Sequence, residues 1–224
     1  MAEDTKPFVF EGYGYEDLEL AIMHFEKDYG FTYANDAFTN VKSIAELIDV
    51  ICAPISKENK EDCTSQQAFY KLKSVLHKYS EEAVITPSSQ LEKLIKRKNR
   101  IATIRSIENE LGFELKVLKP TAELSLFLWL VFLGTVVSVF ISMYFAMLIG
   151  FIWLLSYWII YSNAKEFKVE TVGELVKQMV MNNYFKSRRD PNTINEQEFR
   201  KMVISFIADL VGLTEEELLE AQFG

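Results

Sequence analysis

The residues best suited to chemistry are few and scattered. His24 and His77 are the only histidines, and neither has a second His or a Cys at metal-ligand spacing. Each lies on an amphipathic pattern, where a structural role fits better than ligation. Cys52 and Cys63 are the only cysteines, and no histidine stands nearby to generate a thiolate nucleophile. Cys52 is expected to be buried at the end of a helical run, and Cys63 to be exposed ahead of another. Two cysteines cannot frame a disulfide scaffold or a four-cysteine zinc site. There is no phosphate loop, no G-x-G-x-x-G and no H-E-x-x-H. The run Glu215-Glu216-Glu217 follows Thr214, so it reads as the first turn of a helix, where negative charge suits the dipole. No catalytic residue, metal site or cofactor is expected from these residue types.

The elements say more. From Leu124 to Ser162 there are 39 residues without one charge. A bilayer crossing needs roughly 20 apolar residues, so one helix of this length would run about twice too far, whereas two short crossings fit. They are expected near 124–141 and 145–162, with a turn at Ser142-Met143-Tyr144. Gly134, Ser138, Ser142, Ala146 and Gly150 recur every four residues, a spacing that lets membrane helices approach closely. Packing of the hairpin on itself is preferred over a homodimer contact. Basic residues flank both ends: Lys96, Arg97, Lys98, Arg100, Arg105, Lys116 and Lys119 before, and Lys165, Lys168, Lys177, Lys186, Arg188 and Arg189 after. The positive-inside rule then puts both termini in the cytoplasm. Met1 to Asp17 is acidic and lacks an apolar core, so no secretory signal is expected. With no ionisable group inside the hairpin, an ion or proton pathway is disfavoured.

Outside the hairpin, two segments repeat. Phe25 to Tyr33 parallels Ile107 to Leu115, each the end of a helix followed by a glycine stop, Gly30 or Gly112. Val41 to Ile48 parallels Val169 to Val176. Both carry S/T-x-x-E ahead of an apolar run, the pattern of a capping box, so Ser43 and Thr171 should start helices that Glu46 and Glu174 help to cap. Gly30 to Val41 is 11 residues and Gly112 to Val169 is 57, an excess about the length of the hairpin with short flanks. The second copy thus carries a membrane hairpin inserted in a loop, a tolerated place for insertions because the hairpin returns its ends to one face. Phe69 to Tyr79 and Phe199 to Val211 are further helical stretches, the first leading into Val84 to Leu91 and the second into the parallel segment Gly212 to Leu218.

This order of elements resembles the acyl-carrier-protein fold, a small bundle with a long first helix, a loop, a second helix, a linker and a short third helix. The likeness rests on Glu26 to Phe31 with Val41 to Ile48, on Glu108 to Phe113 with Val169 to Val176, and on the loop Ile85-Thr86-Pro87-Ser88-Ser89. The resemblance implies an all-α chain of two acyl-carrier-like bundles, one interrupted by a transmembrane hairpin. That family carries phosphopantetheine on a serine in D-S-L at the start of its second helix. Here Tyr15 and Arg97 stand at the corresponding positions, no serine lies within Gly12–Asp17 or Ile95–Arg100, and D-S-L is absent. The resemblance therefore implies the fold without the carrier reaction.

The average composition, 49% hydrophobic and 25% charged, excludes a disordered or collagen-like chain. The net charge of -8 argues against a nucleic-acid partner. Charge is segregated: residues 1–63 carry -9 and residues 190–224 carry -6, while residues 64–122 carry +5 and 165–189 carry +3. The basic regions flank the hairpin, as suits a domain on an anionic leaflet, and the cluster Lys93 to Arg100 reads equally as a contact to lipid headgroups or as a solvated helix start. The expected organisation is 1–56 as helices two and three of an acidic module completed by 190–224 as its helix one, 57–122 with 163–189 as a basic module, and 123–162 as the hairpin. The expected function is that of a non-enzymatic membrane protein that docks a cytoplasmic, basic partner protein, with a homodimer also open. The alternative is an accessory acyl carrier in lipid or secondary-metabolite synthesis.

Overall fold

The computed structural model describes residues 9–10, 13–34 and 36–223, with the side chains of these except 13–15 and 28. In chain order the elements are β1 (Val9–Phe10), α1 (Tyr13–Tyr29), α2 (Ile44–Cys52), β2 (Glu58–Asn59), α3 (Thr64–Leu76), α4 (Leu91–Leu94), a 3-10 turn (Arg97–Asn99), α5 (Arg100–Leu111) and β3 (Leu118–Lys119). Then come α6 (Ala122–Val139), α7 (Met143–Ser162), β4 (Glu166–Phe167), α8 (Val172–Asn182), α9 (Tyr184–Ser187), β5 (Thr193–Ile194), α10 (Glu196–Val211), α11 (Glu215–Glu220) and β6 (Gln222–Phe223). The chain is all-α in class, and the two-residue strands serve only as clips between loops.

It divides into two compact units, Met1–Ala68 with Lys177–Gly224, and Phe69–Val176. The sequence suggests divisions at 56/57 and 189/190. The divide instead falls within α3, between Ala68 and Phe69, and within α8, between Val176 and Lys177.

In the first unit α1 packs on α10, and α2 packs on both α10 and α11. The reasons are local. Ser43 caps α2 by accepting the Glu46 amide at 3.3 Å, and Ile44, Leu47, Ile48 and Ile51 turn one apolar face inward. Asn195 caps α10 by accepting the Glu198 amide at 3.1 Å, and Phe199, Met202, Val203 and Ile207 fill its buried face. Thr214 and Glu217 close a reciprocal capping box on α11, and the amide and hydroxyl of Thr214 hold the Glu217 carboxyl below its ordinary range. Aromatic rings tie the layers: Phe206 meets Phe25 at 5.2 Å and stacks on His24 at 4.6 Å. β1 and β6 pair in parallel, and Phe10 stacks on Phe223 at 5.4 Å.

A second knot in this unit is polar. Arg188 is fully buried. Its guanidinium donates to Thr193 Oγ1 at 3.0 Å, Thr64 Oγ1 at 2.6 Å, the Asp62 carbonyl at 3.2 Å and the Lys60 carbonyl at 3.3 Å. It thereby joins chain segments more than 120 residues apart, beside the parallel pair of β2 and β5. Its place in the sequence puts Arg188 among the charges beside the membrane, yet it is a core residue.

The second unit contains the hairpin. α6 and α7, of 18 and 20 residues, are both long and apolar enough to cross a membrane. At 1.5 Å per residue they span about 27 and 30 Å, the thickness of a hydrocarbon core. The turn is Phe140-Ile141-Ser142, two residues earlier than the spacing suggests, because Ser142 takes an extended conformation at the N-cap position of α7 and its carbonyl accepts the Ala146 amide at 3.0 Å. Of the small-residue stripe, Ser138 and Ala146 are buried, and a Cβ on Gly150 would stand 3.5 Å from Thr135 Cγ2. Gly134 has open space around it.

Candidate functional site

The site that organises the second unit lies where the hairpin joins its soluble part. Just before α6 and just after α7, β3 and β4 pair antiparallel, Leu118 opposite Phe167 and Lys119 opposite Glu166, and the Lys168 amide donates to the Val117 carbonyl at 2.8 Å. Thr121 caps α6 through the Leu124 amide at 3.5 Å, and the Asn163 side chain donates to Ile159 O at 2.8 Å at the end of α7. Both feet of the hairpin are thus clamped to one another.

Arg100 is the bolt under this neck. Only 2% of it is exposed. Its Nε and Nη2 donate to the Ile95 carbonyl at 3.4 and 3.3 Å, its Nη1 donates to the Lys165 carbonyl, and its guanidinium lies 4.3 Å from the centre of the Phe167 ring. Glu92 stands 3.5 Å from Nη1. A rigid guanidinium fork can satisfy carbonyls from two segments at once, which an ammonium does less well. The reading of the whole cluster Lys93 to Arg100 as a contact to headgroups therefore fails at Arg100, which spends its charge inside the fold.

Arg97, the residue at the expected carrier-serine position, opens the 3-10 turn that leads into α5. Its Nη2 pairs with Glu166 Oε1 at 2.6 Å, so this position is tied to the foot of α7. Tyr15 lies in the first turn of α1, and its side chain falls outside the described residues. Lys96 pairs with Glu81 at 2.9 Å on the surface.

A strap holds the start of α8 against the loop before α4. Leu91 N donates to Glu170 O at 2.9 Å, Val172 N to Ser89 O at 3.0 Å and Gly173 N to Pro87 O at 2.7 Å. A Cβ at Gly173 would sit 3.1 Å from the Pro87 carbonyl oxygen, tighter than an ordinary Cβ contact, so a side chain here would push the strap by a few tenths of an ångström. Thr171 caps α8 by accepting the Glu174 amide at 3.2 Å, and Glu174 accepts from the Glu170 amide at 2.7 Å and the Thr171 amide at 3.4 Å. Those backbone donors hold its carboxyl below the ordinary range. At Ser43 the reciprocal bond shifts by one residue: Glu46 accepts from the Lys42 amide at 2.7 Å.

The two glycine stops share local geometry. Gly30 and Gly112 have φ of 72° and 79°, and each donates its amide to the residue four back. Glu26 accepts from the Tyr33 amide and Glu108 from the Leu115 amide, both at 2.7 Å.

Two concavities border the neck. One, of about 450 Å³, is lined by Gln90, Glu92, Lys119, Thr121, Glu166 and Glu170 among others. The other, of about 380 Å³, lies along the hairpin between Ser125, Leu128, Trp129, Phe132, Trp153, Tyr157 and Tyr161. Its rings form a ladder: Trp129 to Phe132 at 5.9 Å, Phe132 to Trp153 at 5.7 Å, Trp153 to Tyr157 at 5.7 Å and Tyr157 to Tyr161 at 4.3 Å. Trp153 Nε1 donates to Leu128 O at 3.1 Å and fixes the ladder to α6.

The cysteines do not line the cleft or the slot. Cys52 ends α2 and is half-buried rather than buried, because the last turn of a short helix exposes one side; burial still pushes its thiol up to about 11. Cys63 is exposed. Among the described residues no group of three or more His, Cys, Asp or Glu is placed to hold a metal ion. Sequence reasoning misses Arg100, Arg188 and the neck itself. The only signal for the neck is Lys119 and Glu166, opposite charges at nearly equal distance from the hairpin ends. No protein-family model, curated protein or solved structure matches this chain.

Proposed function

We propose that this chain is a non-enzymatic, membrane-anchored protein. In this reading two degenerate acyl-carrier-like modules sit at the cytoplasmic face, and the acidic one docks a basic cytoplasmic protein. The observation that carries the reading is Arg97. Where a carrier would present a serine hydroxyl, an arginine is ion-paired to Glu166 at the foot of the hairpin. A guanidinium cannot form the phosphodiester of a prosthetic arm, and its partner gives it an anchoring use instead. Support for two related modules comes from the matched bonds of Glu26 and Glu108, the left-handed stops Gly30 and Gly112, and the caps at Ser43 and Thr171. The cytoplasmic side rests on the lysines and arginines flanking an uncharged turn. The acidic docking surface rests on the -9 and -6 charges of residues 1–63 and 190–224, which favour a basic partner by long-range attraction.

The test is intact-mass spectrometry of the full chain after incubation with coenzyme A and a broad-specificity phosphopantetheinyl transferase. An unchanged mass is expected, with an ordinary carrier protein modified in the same tube. A gain of one phosphopantetheine arm would overturn the reading in favour of an accessory acyl carrier.

A further inference from the structure

We propose that the cleft at the neck and the aromatic slot above it form one binding site for a single zwitterionic glycerophospholipid bearing a primary amine. The inference rests on the reading of α6 and α7 as membrane-spanning. The two concavities adjoin along α6: Ala122 lines the cleft and Ser125 lines the slot, three residues apart and so on one helix face. From Ser125 the slot runs to Phe132, about 10 Å along the helix at 1.5 Å per residue, against about 15 Å for one leaflet of the hydrocarbon core. It therefore covers about two thirds of the leaflet on the side of the feet, enough for the upper part of one acyl chain.

Charge decides the headgroup. Four charged side chains line the cleft: Glu92, Lys119, Glu166 and Glu170. Glu166 is paired with Arg97, and Glu92 lies against Arg100. Lys119 and Glu170 have no ion-pair partner among the described residues. One free cation and one free carboxylate, in a cleft at the membrane surface, complement a phosphate and an ammonium. Lys119 takes the phosphate and Glu170 the primary ammonium, which can donate hydrogen bonds to a carboxylate as a quaternary ammonium cannot. A purely anionic headgroup would leave Glu170 facing like charge. The acyl chain lies along the ladder from Tyr161 to Phe132, with the Ser125 and Tyr161 hydroxyls at the polar end.

The experiment is native mass spectrometry of the full chain in detergent, after incubation with equal amounts of dioleoyl phosphatidylethanolamine, phosphatidylcholine and phosphatidylglycerol. One phosphatidylethanolamine should be retained about tenfold over the other two, the ratio of one lost charge-assisted hydrogen bond. E170Q should erase this preference, whereas K119Q should lower retention of all three lipids, which share the phosphate, without changing their order; both are surface changes. W129A should lower retention of all three lipids without changing their order, and D209N, at an exposed position of α10 in the first unit, should behave as the parent. Equal retention of the three lipids, or E170Q and K119Q retaining phosphatidylethanolamine like the parent, would overturn the proposal while leaving the anchor intact. Release of the chain from membranes by alkaline carbonate would instead overturn the membrane-spanning reading, and this proposal with it.

Discussion

Replacing Arg188 by methionine should loosen the first unit at a definite place. The guanidinium serves four acceptors. Two of them have another partner: Thr193 Oγ1 donates to Asp190 O at 2.8 Å, and Thr64 Oγ1 lies 3.0 Å from the Tyr184 hydroxyl. The bonds to Thr64 and Thr193 lie in the buried core, while those to the Lys60 and Asp62 carbonyls are part-buried, and the Asp62 carbonyl keeps the Asn195 side-chain amide at 3.4 Å. A hydrogen bond to a charged group contributes about 1.5–3 kcal/mol, so the two buried ones amount to about 3–6 kcal/mol. Relief from burying a guanidinium offsets part of this. A net loss of about 3 kcal/mol corresponds to roughly 150-fold more frequent opening. The amides that report it are Glu58 N, bonded to Asn192 O at 3.3 Å, and Lys60 N, bonded to Ile194 O at 2.7 Å. Hydrogen–deuterium exchange of the full chain should show these amides exchanging about 100-fold faster in R188M, with those of α5 unchanged. R188K, which keeps the charge and loses the fork, should fall between. Exchange at Glu58 and Lys60 within about threefold of the parent would refute the view that Arg188 closes this unit.

Two further perturbations test local geometry. Gly112→Ala forces a Cβ into a backbone with φ of 79° where no neighbouring atom stands within 4 Å, so the effect is purely conformational. It should lower stability by about 1 kcal/mol, read from a urea midpoint, with Gly112→Asn milder. The carboxyls of Glu174 and Glu217 are held below their ordinary range by amides at their caps, so the unfolded chain takes up these protons first as pH falls. Their contribution is present at neutral pH and is lost as pH drops below about 4 toward the folded values. The E174Q/E217Q double variant should start less stable at neutral pH and show a shallower acid slope in urea titrations between pH 6 and about pH 3.

What the sequence reveals is whatever depends on neighbours a few residues away. Ser43, Thr171 and Thr214 cap helices as their spacing to Glu46, Glu174 and Glu217 implies, since a capping box is closed within four residues. Gly30 and Gly112 adopt the left-handed stop for the same reason. The hairpin is legible because 39 uncharged residues admit few alternatives. The hidden features are those made by distant partners. Arg100 and Arg188 look like surface charge until carbonyls 65 and 128 residues away in sequence arrive to bind them. Two-residue strands such as β3 and β4 are too short to show alternation, so the neck leaves no periodic trace. The site is legible only in its ingredients: Arg97 stands out as a position, but its pairing with Glu166 depends on the hairpin bringing its second foot back to the first.

The claim on which everything rests is that the hairpin crosses the membrane twice and returns. Labelling with a membrane-impermeant maleimide tests it directly, using the exposed thiol of Cys63 in a C52S background and a second chain whose only thiol is I141C at the hairpin turn. Cys63 should react in inverted membrane vesicles and stay protected in intact spheroplasts, with I141C showing the opposite pattern. Labelling of both thiols from the same side, or of Cys63 from outside, would contradict it.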